Sequence, residues 1–324
     1  MKILLIAMPT TLETKVVPLE EAGHTVLLLN GINDSERTLN LVHDVEAEDY
    51  VLEKIVTFEP DMVINAITSI VLPLSDSYTY VGNTALSARL ETHKWETRTK
   101  AGELGWSLPT LLEECKMNAI SDYDDTVYVK PKNDILRFTQ IYKIPTSLER
   151  TTYDITESAS TVWNQIATGE GFGNTDCYVE ASVDYSVEAW CFFTISNGSY
   201  SIIRTLGCTG YGNDKLPTSN GDWTSEDITL LDLTDSQDAA FRSKCNTWLD
   251  YAVTLGGNYE GTLGGAITDD NTVVWFEQNS RPGTYNNGML PGTIQDWIDG
   301  LTTDSTKSIN QISAATIRSA KGYG

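Results

Sequence analysis

Three short apolar runs open the chain, Lys2 to Met8, His24 to Leu29 and Asp61 to Ile67, separated by helix-length segments from Leu12 to Ala22 and from Glu46 to Phe58. A strand buried on both faces reads as a continuous apolar run, and strands that alternate with helices pair in parallel, because a parallel neighbour needs a long crossover. Residues 1–82 are therefore expected to form a doubly wound α/β lobe. Ala7-Met8-Pro9-Thr10-Thr11 follows the first strand. A dinucleotide site would need Gly-x-Gly-x-x-Gly there, so that class of site is not expected.

Charge narrows the function classes. The 324 residues include 45 acidic and 22 basic side chains, for a net charge of -23. A chain that binds a phosphate backbone concentrates Lys and Arg, so direct nucleic-acid binding is not expected and each cation deserves individual placement. Cys115, Cys177, Cys191, Cys208 and Cys245 form no Cys-x-x-Cys pair, and His24, His43 and His93 show no metal-ligand spacing. Scattered thiols of this kind suit a reducing compartment. The apolar run after Lys2 is too short for a secretory segment, and no stretch reaches the length of a membrane span. The expectation is a cytoplasmic protein, monomer or homodimer, with no membrane partner.

The chemistry concentrates near the other end. Thr272-Val273-Val274-Trp275-Phe276 are strand formers, and Glu277, Asn279 and Arg281 follow at every second position before Pro282-Gly283. Side chains alternate along a strand, so these three share one face while Gln278 and Ser280 point the other way. Glu277 and Asn279 offer hard oxygen ligands suited to Mg²⁺ or Mn²⁺, and Arg281 adds a fixed cation for phosphoryl or carboxylate oxygens. Glu-x-Asn alone also suits an ordinary polar strand edge; the complete run is far more specific. A second cation stands out on a short strand, Thr126 to Lys130, which ends in Lys130-Pro131-Lys132.

The run Phe276-Glu277-Gln278-Asn279-Ser280-Arg281-Pro282-Gly283 resembles the magnesium strand of the ATP-grasp ligases. The stretch from Gly82 through Arg89-Leu90-Glu91-Thr92-His93-Lys94, with a charged helix to Leu104 and the turn Gly105 to Pro109, is similar to the start of their ATP domain. Within that group it looks most like phosphoribosylamine–glycine ligase. The resemblance runs from Gly82 to Leu301 and is densest at those two places.

The resemblance implies a two-lobed α+β ATP-grasp domain over 83–301, with an ATP lobe at about 83–176 and a hinge with the metal and substrate lobe at about 177–301. A short polar segment, 302–324, remains where phosphoribosylamine–glycine ligases have a further domain. The implied cofactors are ATP and Mg²⁺ or Mn²⁺. Lys94 and Lys130 would meet phosphates, Glu180 and Val183 the adenine edge, and Glu188 the ribose hydroxyls. Glu277 and Asn279 would hold metal, with Glu260 as a further carboxylate. Arg281 and Lys130 would stabilise reacting charge, and Arg204 would meet a carboxylate substrate. The implied reaction joins a small-molecule carboxylate, an amino acid such as glycine, to a small or nucleotide-linked amine through an acyl phosphate.

The sequence departs from the family at three places. Residues 133–143 contain no glycine where the family carries a glycine-rich phosphate loop, Ala181 replaces a hinge glutamate, and the substrate loop over 207–222 matches only in fragments. The first departure keeps open a nucleotide-binding protein that retains the fold without catalysis.

Overall fold

The computed structural model describes residues 1–6, 13–29, 47–68, 70–72, 77–121, 123, 127–133, 142–144, 174–209 and 229–280. Arg281, the glycine-free run from 134 to 141, most of the 207–222 loop and the polar segment 302–324 lie outside them.

The first sheet carries the order β2-β1-β3-β4 from β1 (Lys2–Ile6), β2 (Thr25–Leu29), β3 (Met62–Asn65) and β4 (Thr79–Val81), all parallel. Its strands are apolar on both faces. Leu4, Ile6 and Val63 pack with Tyr50 and Val51 of α2 (Ala47–Phe58), whereas Ile3, Leu5 and Met62 pack with Leu19 of α1 (Glu13–Glu21). The expected strands and helices of this lobe are thus present, and β4 is an addition that three residues of Thr-Tyr-Val did not announce.

Two consecutive helices then lead across the molecule. Thr84 caps α3 (Ala85–Thr92) in a reciprocal capping box with Ser87, which satisfies backbone donors at the helix start. His93 separates α3 from α4 (Lys94–Glu103), so Lys94 is the first residue of its own helix. The start of α3 is tied to the far lobe, because Gly82 and Asn258 exchange backbone hydrogen bonds of 2.6 and 3.2 Å. Gly257 permits this approach: its φ is +101°, and a Cβ there would come within 3.2 Å of the Gly82 carbonyl.

Two antiparallel sheets follow. The smaller has the order β5-β8-β6-β7, from β5 (Leu111–Lys116), β6 (Val127–Pro131), β7 (Tyr142–Ile144) and β8 (Asp176–Ala181). Its core is Met117, Ile120, Val127, Val129, Cys177 and Val179. The larger has the order β11-β10-β9-β12-β13, from β9 (Val187–Ser196), β10 (Ser199–Thr209), β11 (Thr229–Leu231), β12 (Tyr259–Ile267) and β13 (Val273–Asn279). One face packs on α5 (Asp235–Val253), where Phe241, Cys245, Trp248 and Leu249 meet Cys191, Phe193, Leu263 and Trp275. The other face carries Glu188, Trp190, Arg204, Thr262, Glu277 and Asn279, by the alternation of the paired strands.

A register shift between Gly264 and Gly265 sets that last arrangement. Gly265 pairs with Trp275 and Gly264 with Glu277, so Phe276 is the extra residue of a bulge. Without it the alternation that buries Trp275 would turn Glu277 into the core as well.

Candidate active site

Consecutive residues of β13 receive two lysines from different parts of the molecule. Lys94, at the head of α4, places Nζ 2.9 Å from Glu277 Oε2. Lys130, near the end of β6 in the smaller sheet, donates from Nζ to the Phe276 carbonyl at 3.4 Å. The Asn279 amide donates to Glu277 Oε1 at 3.3 Å, as expected of neighbours on one strand face. Gln278 and Ser280 are fully buried on the opposite side.

Burial works against ionisation of Glu277. The charge and hydrogen bond of Lys94, with Lys130 and Asn279 behind them, more than offset it and hold the carboxyl below its ordinary range. The opposite holds for Glu188 on the same face. Burial pushes its carboxyl up to about 8, the Glu277 charge adds to the rise, and a hydrogen bond with the Trp190 side chain opposes it. One carboxylate is thus ionised at neutral pH and its neighbour largely protonated.

Glu180, only 1% exposed, joins two cations. Arg98 Nε donates to its Oε1 at 2.6 Å, and Lys130 Nζ lies 2.7 Å from its Oε2 as a charge contact. Arg98 also donates from Nη2 to the Pro109 carbonyl at 2.8 Å, and its guanidinium lies over the rings of Trp95 and Tyr178. A planar fork with an aromatic bed holds such a pair well, because both hydrogen bonds and ring contacts fix its plane. Arg98 was not legible as a site residue: helix α4 contains five charged side chains at unremarkable spacing, and its partner lies 82 residues away.

The remaining expected residues lie on other elements. Val183 is half-buried in the connection between β8 and β9. Arg204 shares a cross-sheet row with Phe192, Thr262 and Asn279, three strands from Asn279 and so about 14 Å away at the usual strand spacing. It is paired with Asp232 at 3.9 Å. Glu260 sits one residue into β12, on the same face but beyond Thr262. The structure therefore brings Lys94, Lys130, Glu180, Glu188, Glu277 and Asn279 to one region, with Glu260 on the neighbouring strand at its margin, and sets Arg204 apart from it.

Glu277 and Asn279 supply hard oxygens on one face, the donor chemistry a magnesium-type cation takes. No group of three or more His, Cys, Asp or Glu side chains gathers around a metal position among the described residues. Such an ion would need further oxygens from phosphate and water, which magnesium accepts readily.

No protein-family model matches the chain, and no curated protein matches it by sequence. Solved structures do. An L-amino acid ligase from Bacillus licheniformis is similar at a TM-score of 0.59 with 14% identity, over 87% of this chain and 67% of that one. An N5-carboxyaminoimidazole synthetase from Staphylococcus aureus, complexed with ADP, has a TM-score of 0.55 with 12% identity, over 89% and 71%. A D-Ala:D-Ser ligase from Enterococcus faecalis has a TM-score of 0.54 with 13% identity, over 91% and 94%. At these identities the likeness establishes the fold: the mixed α/β arrangement of one parallel and two antiparallel sheets fits the ATP-grasp architecture.

Proposed function

We propose that the chain is an ATP-dependent carboxylate–amine ligase acting through an acyl phosphate. The observation that carries this reading is the convergence of Lys94 and Lys130 on Glu277 and Phe276 of β13. Two lysines and an ionised carboxylate, drawn from both antiparallel sheets and the helix between them, form a charge pattern complementary to a metal–polyphosphate. The names of the similar structures, two of them amino-acid ligases and one crystallised with ADP, support the same reading.

Lys94 and Lys130 would act as point charges toward phosphates, and Glu180 with Arg98 would keep Lys130 extended toward β13. Glu277 and Asn279 would hold Mg²⁺ or Mn²⁺, which supplies charge neutralisation on the phosphoryl oxygens. Arg281 would meet the charge that develops as the substrate carboxylate takes the phosphoryl group. Glu188 and Val183 are assigned to the nucleoside, as the hinge resemblance implies. Arg204, farther along the face, suits a distal carboxylate or phosphate of a substrate better than the reacting atoms. Such chemistry rests on positioning and electrostatics, which is consistent with a site made of cations and oxygen ligands.

The carboxylate substrate is proposed to be an amino acid such as glycine, and the acceptor a small or nucleotide-linked amine, after phosphoribosylamine–glycine ligase. The working compartment is proposed to be the cytoplasm. ADP release from ATP and Mg²⁺, with a panel of amino acids and amines, tests the reading. Release that requires one acid and rises with one amine is expected. The absence of glycine from 133–143 favours one other reading, a nucleotide binder without turnover. No release with any pair, while ATP and Mg²⁺ still raise the melting temperature, would establish that reading instead.

A further inference from the structure

Behind the proposed metal face, β13 runs into Ser280, which is fully buried and held from three sides. Its N–H donates to Glu91 Oε2 at 2.8 Å, its carbonyl accepts from Asn83 Nδ2, and its hydroxyl accepts from Gln278 Nε2. Gln278 is fixed in turn by Trp248 Nε1 on α5, which donates to its Oε1. Asn279 sits between Gln278 and Ser280, so its direction follows from theirs.

Glu91 is a carboxylate in α3 that is 2% exposed. A buried carboxylate is costly unless strongly bonded, and a charge-assisted bond to a backbone N–H is the kind that offsets such a cost. Glu91 also lies three residues before Lys94. One short stretch of chain therefore grips β13 at two points, by Lys94 on the Glu277 side chain and by Glu91 on the Ser280 backbone.

We infer that Glu91 and Asn83 are positioning residues for the metal strand, fixing Ser280 so that Asn279 and Glu277 present their oxygens to one cation. This rests on the ligase reading of the site. Neither residue touches the proposed substrates; each acts through the backbone of Ser280. Groups that orient metal ligands from behind typically change metal affinity or activity by about 10- to 100-fold when removed.

The experiment is calorimetric titration of ADP into purified protein, once with Mg²⁺ and once with chelator. Wild-type protein is expected to bind ADP more tightly with Mg²⁺. Glu91→Ala should lose that metal-dependent gain by about 10-fold or more while binding in chelator stays as in wild type. Glu91→Gln, which keeps an acceptor for the Ser280 N–H, should recover most of it. A folded Glu91→Ala protein with the full metal-dependent gain would overturn the inference, as would an equal loss with and without Mg²⁺, which marks general damage. If Glu91→Ala fails to fold, Asn83→Ala removes only the contact to the Ser280 carbonyl and is judged by the same two titrations. Wild-type protein that binds no ADP under either condition would instead remove the ligase reading, and the positioning role with it.

Discussion

The two antiparallel sheets contribute to one site but are built very differently. The five-stranded sheet rests on α5 through a continuous aromatic and aliphatic core, with Trp106 and Trp248 packed on Trp275 at ring-centroid distances of 5.0 and 4.3 Å. Among the described residues the four-stranded sheet has a core cluster of six buried side chains, and Lys130 and Arg98 are held to it by charge, through Glu180. Large apolar burial makes a stiff platform, and a small core held by ion pairs opens more easily. The proposed metal face thus stands on the larger described core, and the proposed phosphate lysine, Lys130, on the smaller one. Such a division would suit the proposed binding and release of a nucleotide.

The strongest way to break this comparison is Glu180→Gln. Removing one partner of a buried charged pair leaves the others uncompensated and costs about 3–5 kcal/mol. Hydrogen exchange should show faster opening of β6 and β8, with the strands around α5 unchanged; uniform acceleration would show that the sheets are one cooperative unit. Truncations at matched size come next. Leu249→Ala and Met117→Ala each remove a buried side chain and should each cost about 2–5 kcal/mol. Leu249→Ala is expected to lower the melting temperature of the whole protein, and Met117→Ala to loosen the small sheet alone.

Glu277→Gln sharpens the functional side. It removes the ionised oxygen beside Lys94 on a strand whose core contacts stay intact. ADP release by the folded protein should fall by about 100-fold, about 2.7 kcal/mol in barrier, and the melting temperature should also fall, because Lys94 loses its charged partner. Full activity in that variant would dismiss the metal assignment.

The smallest expected effect is a pH slope. The Glu188 carboxyl rises from 4.5 to about 8 in the folded protein, so between those values the native state binds more protons than the unfolded chain. Its contribution to stability is complete below about 4.5 and is lost as pH rises through 8. In chelator, wild-type protein should therefore lose melting temperature from pH 5 to 8.5 more steeply than Glu188→Gln does. Parallel curves would show that Glu188 is ionised in the native state.

The shared face of Glu277 and Asn279 was legible because a strand repeats every two residues, whereas the bulge at Phe276, which turns that face away from the one that buries Trp275, was not. The parallel lobe was legible for the same reason of pattern. β5 was not: Leu-Leu-Glu-Glu-Cys-Lys shows no clean alternation, and only pairing with β8 makes it a strand. The start of α3 was not legible either, because it depends on a capping box of Thr84 and Ser87, two residues that serve loops equally well. The partnerships of Arg98 with Glu180, and of Glu91 and Asn83 with Ser280, link residues 82 to 197 positions apart. Such pairs are set by how lobes pack, and no local pattern carries them.

β13 stands at the end of the order β11-β10-β9-β12-β13. A terminal strand ordinarily offers a row of unpaired backbone groups to any other extended chain. Here Ser107 bonds the Val273 carbonyl and the Trp275 N–H, Lys130 meets the Phe276 carbonyl, and Glu91 and Asn83 take both backbone groups of Ser280. The proposed phosphate lysine and the positioning pair thereby also keep this rim closed to a foreign strand. Replacing Lys130, Glu91 or Asn83 would therefore uncover part of this edge as well as weaken the proposed site, so for these residues loss of function and a tendency to aggregate would go together.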